Sequence, residues 1–160
     1  MATRAERDAC DLLDADHKAV KKMFKAYEEL ANSKARDAAQ KKLELAREIC
    51  HELTVHATIE EEIFYPALRE ALKETDLIDE AAVEHQTAKD LIKQIQAAGE
   101  PDEMFDAKVK VLGEYIDHHV KEERNEIFPK ARSGRKLDLF AMRDELQARK
   151  EELMGAAVSA

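Results

Sequence analysis

Hydrophobic residues return at helical spacing in four long stretches of this chain and in a shorter fifth. The first stretch, about residues 4–31, puts Leu13, His17, Val20, Phe24 and Tyr27 on one face. Asn32 and Ser33 interrupt it, and either could cap the next helix. The second, from the mid-thirties to about Leu72, carries Ile49, Leu53, His56, Glu60, Ile63 and Ala67; Pro66 inside it predicts a kink or an end. Thr75 or Asp76 caps the third, with Ile78, Ala82, His85, Ala88, Ile92 and Ile95, which Gly99 and Pro101 close. The fourth starts near Asp102 and shows Phe105, Val109, Leu112, Ile116, His119, Glu123 and Ile127 before Pro129 disturbs it. Beyond Ser133 and Gly134 comes the fifth, with Leu139, Met142, Leu146 and Leu153, and a small-residue tail after Gly155 that is expected to fray.

Short loops between long helices favour antiparallel neighbours. The fold class read from this is all-α: an up-down-up-down four-helix bundle over residues 1–132, with a short C-terminal helix and tail over 133–160. That last helix either packs on the bundle or forms an interface. Composition agrees, with 4 glycines, 3 prolines and 38% charged residues in a chain of 160. A net charge of -9, without a basic stripe, argues against nucleic acid as a partner. No apolar run approaches the ~20 residues that cross a bilayer, and no signal-peptide core opens the chain, so the expected location is cytoplasmic, away from membranes. Cys10 and Cys50 fall on opposite sides of the histidine level and read as reduced, packed thiols.

The chemistry lies in a duplication. His56-Ala57-Thr58-Ile59-Glu60 runs on into Phe64-Tyr65-Pro66, and His119-Val120-Lys121-Glu122-Glu123 into Ile127-Phe128-Pro129. In each copy His and Glu are four residues apart, side by side on one helical face, and a proline stands ten residues after the His. His17 and His85, each preceded by an acid, supply one imidazole per remaining helix. A lone histidine on an apolar face is more often a satisfied core residue than a ligand. Four at one depth, two with a glutamate one turn on, are a different matter. Burying two carboxylates without partners is prohibitive, so a cation is implied. Imidazole suits iron, copper and zinc, and paired carboxylates suit iron or manganese. His118 and Glu122 share the same spacing, but the proline register and the apolar stripe select His119 and Glu123. His51 lies off the stripe. Glu48 and His51 match one Glu-x-x-His of a ferritin-like site, which needs two. A structural zinc is disfavoured, since such sites are usually single tetrahedral ions with cysteine.

These residues resemble the hemerythrin-like family, the HHE cation-binding domain. The pattern is His17 on the first helix, His56-x-x-x-Glu60-Glu61 on the second, Glu84-His85 on the third and His119-x-x-x-Glu123 on the fourth, over roughly residues 9–132. The resemblance implies a non-heme di-iron centre of two iron ions with an oxo or hydroxo bridge. His17 and His56 would ligate one iron, His85 and His119 the other, and Glu60 and Glu123 would bridge them. The oxygen-carrying members have a second histidine where this chain has Lys89. That departure predicts a more open centre, suited to binding or reacting with a small oxidant (O2, hydrogen peroxide or nitric oxide) rather than to reversible oxygen transport. Glu61, Glu122 or Tyr27 could reach into the gap.

The leading expectation is thus a di-iron protein whose partner is a small diatomic or peroxide, with catalase-like turnover as its enzymatic form. The alternative is a non-enzymatic oxygen or iron sensor, carrier or store, monomeric or homodimeric. Asp16 and Glu84 are read as solvated-face residues in preference to supports of the histidines.

Overall fold

The structure, a computed structural model, describes residues 8–134 and 136–159, with side chains as far as Gly155. The expected first-helix start at residue 4 lies outside these. The elements are α1 (Ala9–Ala31), α2 (Ala38–Ile59), a π-helical turn (Glu60–Phe64), α3 (Tyr65–Ala71), α4 (Asp76–Ala97), α5 (Glu103–Glu122), a second π-helical turn (Glu123–Ile127), α6 (Phe128–Ser133) and α7 (Leu139–Ser159). Among the described residues there is no strand. Among the described residues no helix is long and apolar enough to cross a membrane.

Helices α1, α2, α4 and α5 form a closed ring, α1 against α2 and α5, and α4 against the same two. The apolar stripes explain the ring, because each helix has one hydrophobic face and all four turn it inward. Two hydrophobic clusters result. One joins Leu13, Ile59, Phe64, Leu68, Ile78, Ile127 and Phe128. The other joins Val20, Ile49, Leu53, Ile92, Phe105, Val109 and Leu112. Residues before His17 and His85 share a cluster with those after His56 and His119, so neighbouring helices run antiparallel. Cys10 belongs to the first cluster and Cys50 to the second, both free. Burial pushes their thiols up to about 12 and about 11, so both are inert as thiolates.

Helix starts reflect local chemistry. Asp8 accepts from the Asp11 backbone at 2.9 Å while the Asp11 carboxylate accepts from the Asp8 backbone at 3.2 Å, a reciprocal cap on α1. Arg132 of α6 donates to both carboxylates. Asp102, near which the fourth helix was expected to start, caps α5 by accepting from Phe105 N at 2.9 Å. Thr75 precedes α4 without a side-chain cap.

The regular helices end shortly before the prolines, α2 at Ile59 and α5 at Glu122, and helical structure continues through a π turn. Pro66 and Pro129 sit in the first turns of α3 and α6, each just after a π-helical turn. In those turns Tyr65 N–H donates to the Glu60 carbonyl and Phe128 N–H to that of Glu123, five residues back. The wider turn accommodates a residue that has no N–H and whose ring clashes with a regular helix. It also inserts one residue into the period. Phe64 and Leu68 are therefore fully buried where the uninterrupted pattern points to Ile63 and Ala67, which are half-buried. In α4, Ala81 is buried and Ala82 exposed, the reverse of the expected stripe.

Helix α7 has 21 residues, runs through Gly155, where fraying was expected, and lies against α1 and α2. Leu139, Met142 and Leu146 are buried in the first cluster, and Leu153 packs on its edge.

Candidate metal centre

Every residue singled out from the duplication arrives at one level of the bundle. His17 comes from α1, His56 from α2, His85 from α4, His119 from α5, and Glu60 and Glu123 are the first residues of the two π-helical turns. All six are buried, the glutamates completely. The imidazoles form two pairs. Nε2 of His17 and of His56 lie 3.1 Å apart, and those of His85 and His119 3.3 Å apart. Glu60 Oε1 stands 3.2 Å from Nε2 of both His56 and His85, so it reaches both pairs. Glu123 also reaches both, at 2.5 Å from His119 and 3.9 Å from His17.

Each ring is held from behind. Asp14 accepts from Nδ1 of His17 at 3.4 Å, Asp16 from His56 at 3.0 Å, Glu61 from His85 at 3.1 Å and Glu84 from His119 at 2.9 Å. Asp16 and Glu84 thus support histidines on neighbouring helices, contrary to the solvated-face expectation. Three of these carboxylates pair with a fixed cation: Asp14 with Arg124, Asp16 with Lys150 and Glu61 with Lys89. Glu84 lies 3.8 Å from the exposed His118. With Nδ1–H donated outward, each Nε2 presents a lone pair to the centre.

Lone pairs at about 3 Å repel unless something positive lies between them, and the carboxylates make the same demand. Neither oxygen of Glu60, nor Oε2 of Glu123, has a hydrogen bond. Without a cation, protons take this role. Burial opposes a charge on His56, but Glu60 and Asp16 outweigh it and raise its pKa to about 10. His119 rises to about 11 against the same burial, through Glu123 and Glu84. Burial pushes Glu60 toward its neutral form, and the charge on His56 overrides it, holding the carboxyl well below the usual range. Glu60, His85, His119 and Glu123 can converge on one ion, and His17, His56 and Glu123 on another, since the ligand atoms in each group lie within 4.8 Å of one another. Among the described residues no cysteine belongs to either group.

One residue at the centre was not anticipated. Tyr65 donates its hydroxyl to Glu123 Oε1 at 3.2 Å and lies 3.4 Å from Nε2 of His85 and of His119. Burial and the charges of Glu123 and Glu60 push its pKa well up, which keeps it a donor. The candidates for the gap stay outside: Tyr27 bonds Asp106, Glu61 holds His85 from behind, and Glu122 faces His118. The signal for Tyr65 was in the repeat, as the residue before the first proline; the matching Phe128 stacks on His17, with ring centres 6.0 Å apart. His51 stays off the centre, half-buried, with Nε2 unpartnered.

A cavity of about 30 Å3 lies against the four imidazoles, walled by Val20, Leu53, Ala88, Ile92 and Ile116 and rimmed by Thr54, Lys89 and Tyr115. By the ~10–15 Å3 of such space that one water needs, it has room for about two water-sized groups.

The hemerythrin HHE cation binding domain model matches residues 8–131, the whole of this arrangement. The chain belongs to the hemerythrin HHE cation-binding domain family. The His/Glu clusters of this HHE domain fit the cation binding for which the family is named. Its fold is also that of a hemerythrin HHE cation binding domain-containing protein from Mycobacterium kansasii, with a TM-score of 0.76 over 95% of this chain and 90% of the other at 22% identity. A DNA nickase from Nostoc sp. is 32% identical over 124 residues, 78% of this chain. The chain spans about a third of that relative's length.

Proposed function

We propose that this HHE domain is a non-heme di-iron protein that binds or reacts with a small oxidant: O2, hydrogen peroxide or nitric oxide. The observation that carries the reading is the pair of shared glutamates. Glu60 and Glu123 are fully buried, hold three unbonded carboxylate oxygens between them, and reach both histidine pairs. In this reading His17 and His56 hold one ion, His85 and His119 the other, and both glutamates serve each. Donors of nitrogen and carboxylate oxygen without thiolate favour iron over a structural zinc. Bound iron would supply one-electron redox chemistry and a Lewis acid for a small oxygen or nitrogen ligand.

The chain's own residues set the conditions. The rear carboxylates fix the ring tautomers and orientation, so Nε2 is available without rearrangement. The apolar walls of the cavity exclude bulk water and admit only a molecule of a few atoms, which disfavours an organic substrate. Lys89, on the cavity rim, has its ammonium engaged with Glu61, which holds His85 from behind. A second reading, a non-enzymatic sensor, carrier or store, draws on one contact: Lys150 of α7 bonds Asp16 at 2.6 Å, linking a helix outside the four-helix ring to His56.

The test is metal content per chain of natively purified protein, and then oxygen evolution from hydrogen peroxide. The reading expects about two irons per chain, and a Glu123→Ala variant that loses both metal and oxygen evolution. One zinc per chain sinks the di-iron reading. Two irons without oxygen evolution leave the binder in place of the catalyst.

A further inference from the structure

We infer that the two half-sites are unequal: the His85–His119 half takes the first metal ion and holds it more tightly than the His17–His56 half. This rests on the di-metal reading above and concerns the order in which that centre fills.

Four buried ligand residues converge on the His85–His119 side and three on the other. Glu123 reaches both halves but leans toward one, with Oε1 2.5 Å from His119 and Oε2 3.9 Å from His17. The lean has a cause in Tyr65, whose hydroxyl donates to that same Oε1 at 3.2 Å. In the duplicated half the equivalent residue is Phe128, and the glutamate equivalent to Glu123 is Glu60. A phenyl ring has nothing to donate. Phe128 lies parallel to His17 within 9°, and both oxygens of Glu60 go without a hydrogen bond. Between the two glutamates the duplication is therefore broken at the Tyr65 hydroxyl, which orients Glu123 and has no counterpart beside Glu60. A donor set already held in place binds with less ordering, so the half with Tyr65 fills first. The second ion enters the His17–His56 half and exchanges more readily.

The experiment is an anaerobic titration of the metal-free full chain with Fe(II), and separately Co(II), against a chromophoric chelator of known affinity. Two steps are expected, the first at least about tenfold tighter, the range in which outer partners of metal ligands act. His17→Ala should remove the weak step and keep the tight one, and His119→Ala should do the reverse. Tyr65→Phe places the same ring on both sides and should bring the two affinities to within about threefold of each other, with folding checked by its melting curve. Two ions bound with equal affinity, a Tyr65→Phe ratio that matches the parent, or loss of the tight step in His17→Ala each overturns the inference while leaving the di-metal reading intact. A parent chain that binds one ion or none removes the di-metal reading and the inference with it.

Discussion

Each of the four central histidines is restrained from its outer nitrogen, and those contacts govern much of the site's behaviour. Glu84→Gln keeps an acceptor for His119 Nδ1 but removes the charge behind it; the expected result is metal affinity weaker by about 10–100-fold, read by chelator competition. In the di-metal reading, protons and metal compete for the same nitrogens. His56 and His119 have pKa values raised to about 10 and about 11, so in the metal-free protein the stability from their ion pairs with Glu60 and Glu123 is fully present below the ordinary pKa near 6.5 and is lost as pH rises through the raised values. The melting temperature of the metal-free protein should therefore fall between pH 7 and 10, whereas the loaded protein, with its imidazoles neutral and ligating, should stay flat; thermal melts across that range decide it. At this scale the sequence was informative about His17, His56, His85, His119, Glu60 and Glu123, because i, i+4 spacing on an apolar face is visible without a structure. Asp16, Glu84 and Tyr65 were misread or missed. Their roles depend on contacts across helices, as Asp16 serves His56 and not the adjacent His17.

Among the elements, the two π-helical turns carry most of the information that sequence periodicity lacks. A His and a Glu four apart look alike in a regular helix and at the mouth of a π turn, and the apolar pattern continues past both. Only the prolines ten residues after His56 and His119 hinted at a change, and they were read as a kink or an end of the regular helix, not as a π turn. The extra residue in each turn rotates the rest of the helix by about 100°, which brings Phe64, Tyr65 and Phe128 inward. Inserting one alanine beside the exposed Glu62 should rotate the rest of the helix by a further ~100° and swing Tyr65 away from Glu123. Helical content by circular dichroism should remain, while metal affinity falls by more than about tenfold. The long helices and their order were legible because their stripes are uninterrupted and Asp102, Gly99 and Pro101 mark a boundary unambiguously.

For the whole molecule, α7 is part of the core and also touches the site. Leu146 is fully buried, so Leu146→Ala should cost about 2–5 kcal/mol in chemical denaturation without changing the number of ions bound. Lys150→Met should do the opposite, leaving stability within about 1 kcal/mol and weakening binding at His56 through Asp16. The amphipathic pattern of α7 could not choose between these surroundings and an interface, since an apolar face reads the same against either.

The histidine level has one more consequence. Val20 and Leu53 lie on one side of it, Leu13 and Ile59 on the other, and the residues between are imidazoles and carboxylates. The interior is thus two small oil drops with a polar seam across the middle, and the occupant of the seam decides whether they behave as one. With cations held as proposed, ligand bonds from all four ring helices would rivet the halves together. With protons alone the seam is the weakest plane of the molecule, and amide hydrogen exchange should begin beside the histidines, deep inside the bundle, as readily as at the helix ends.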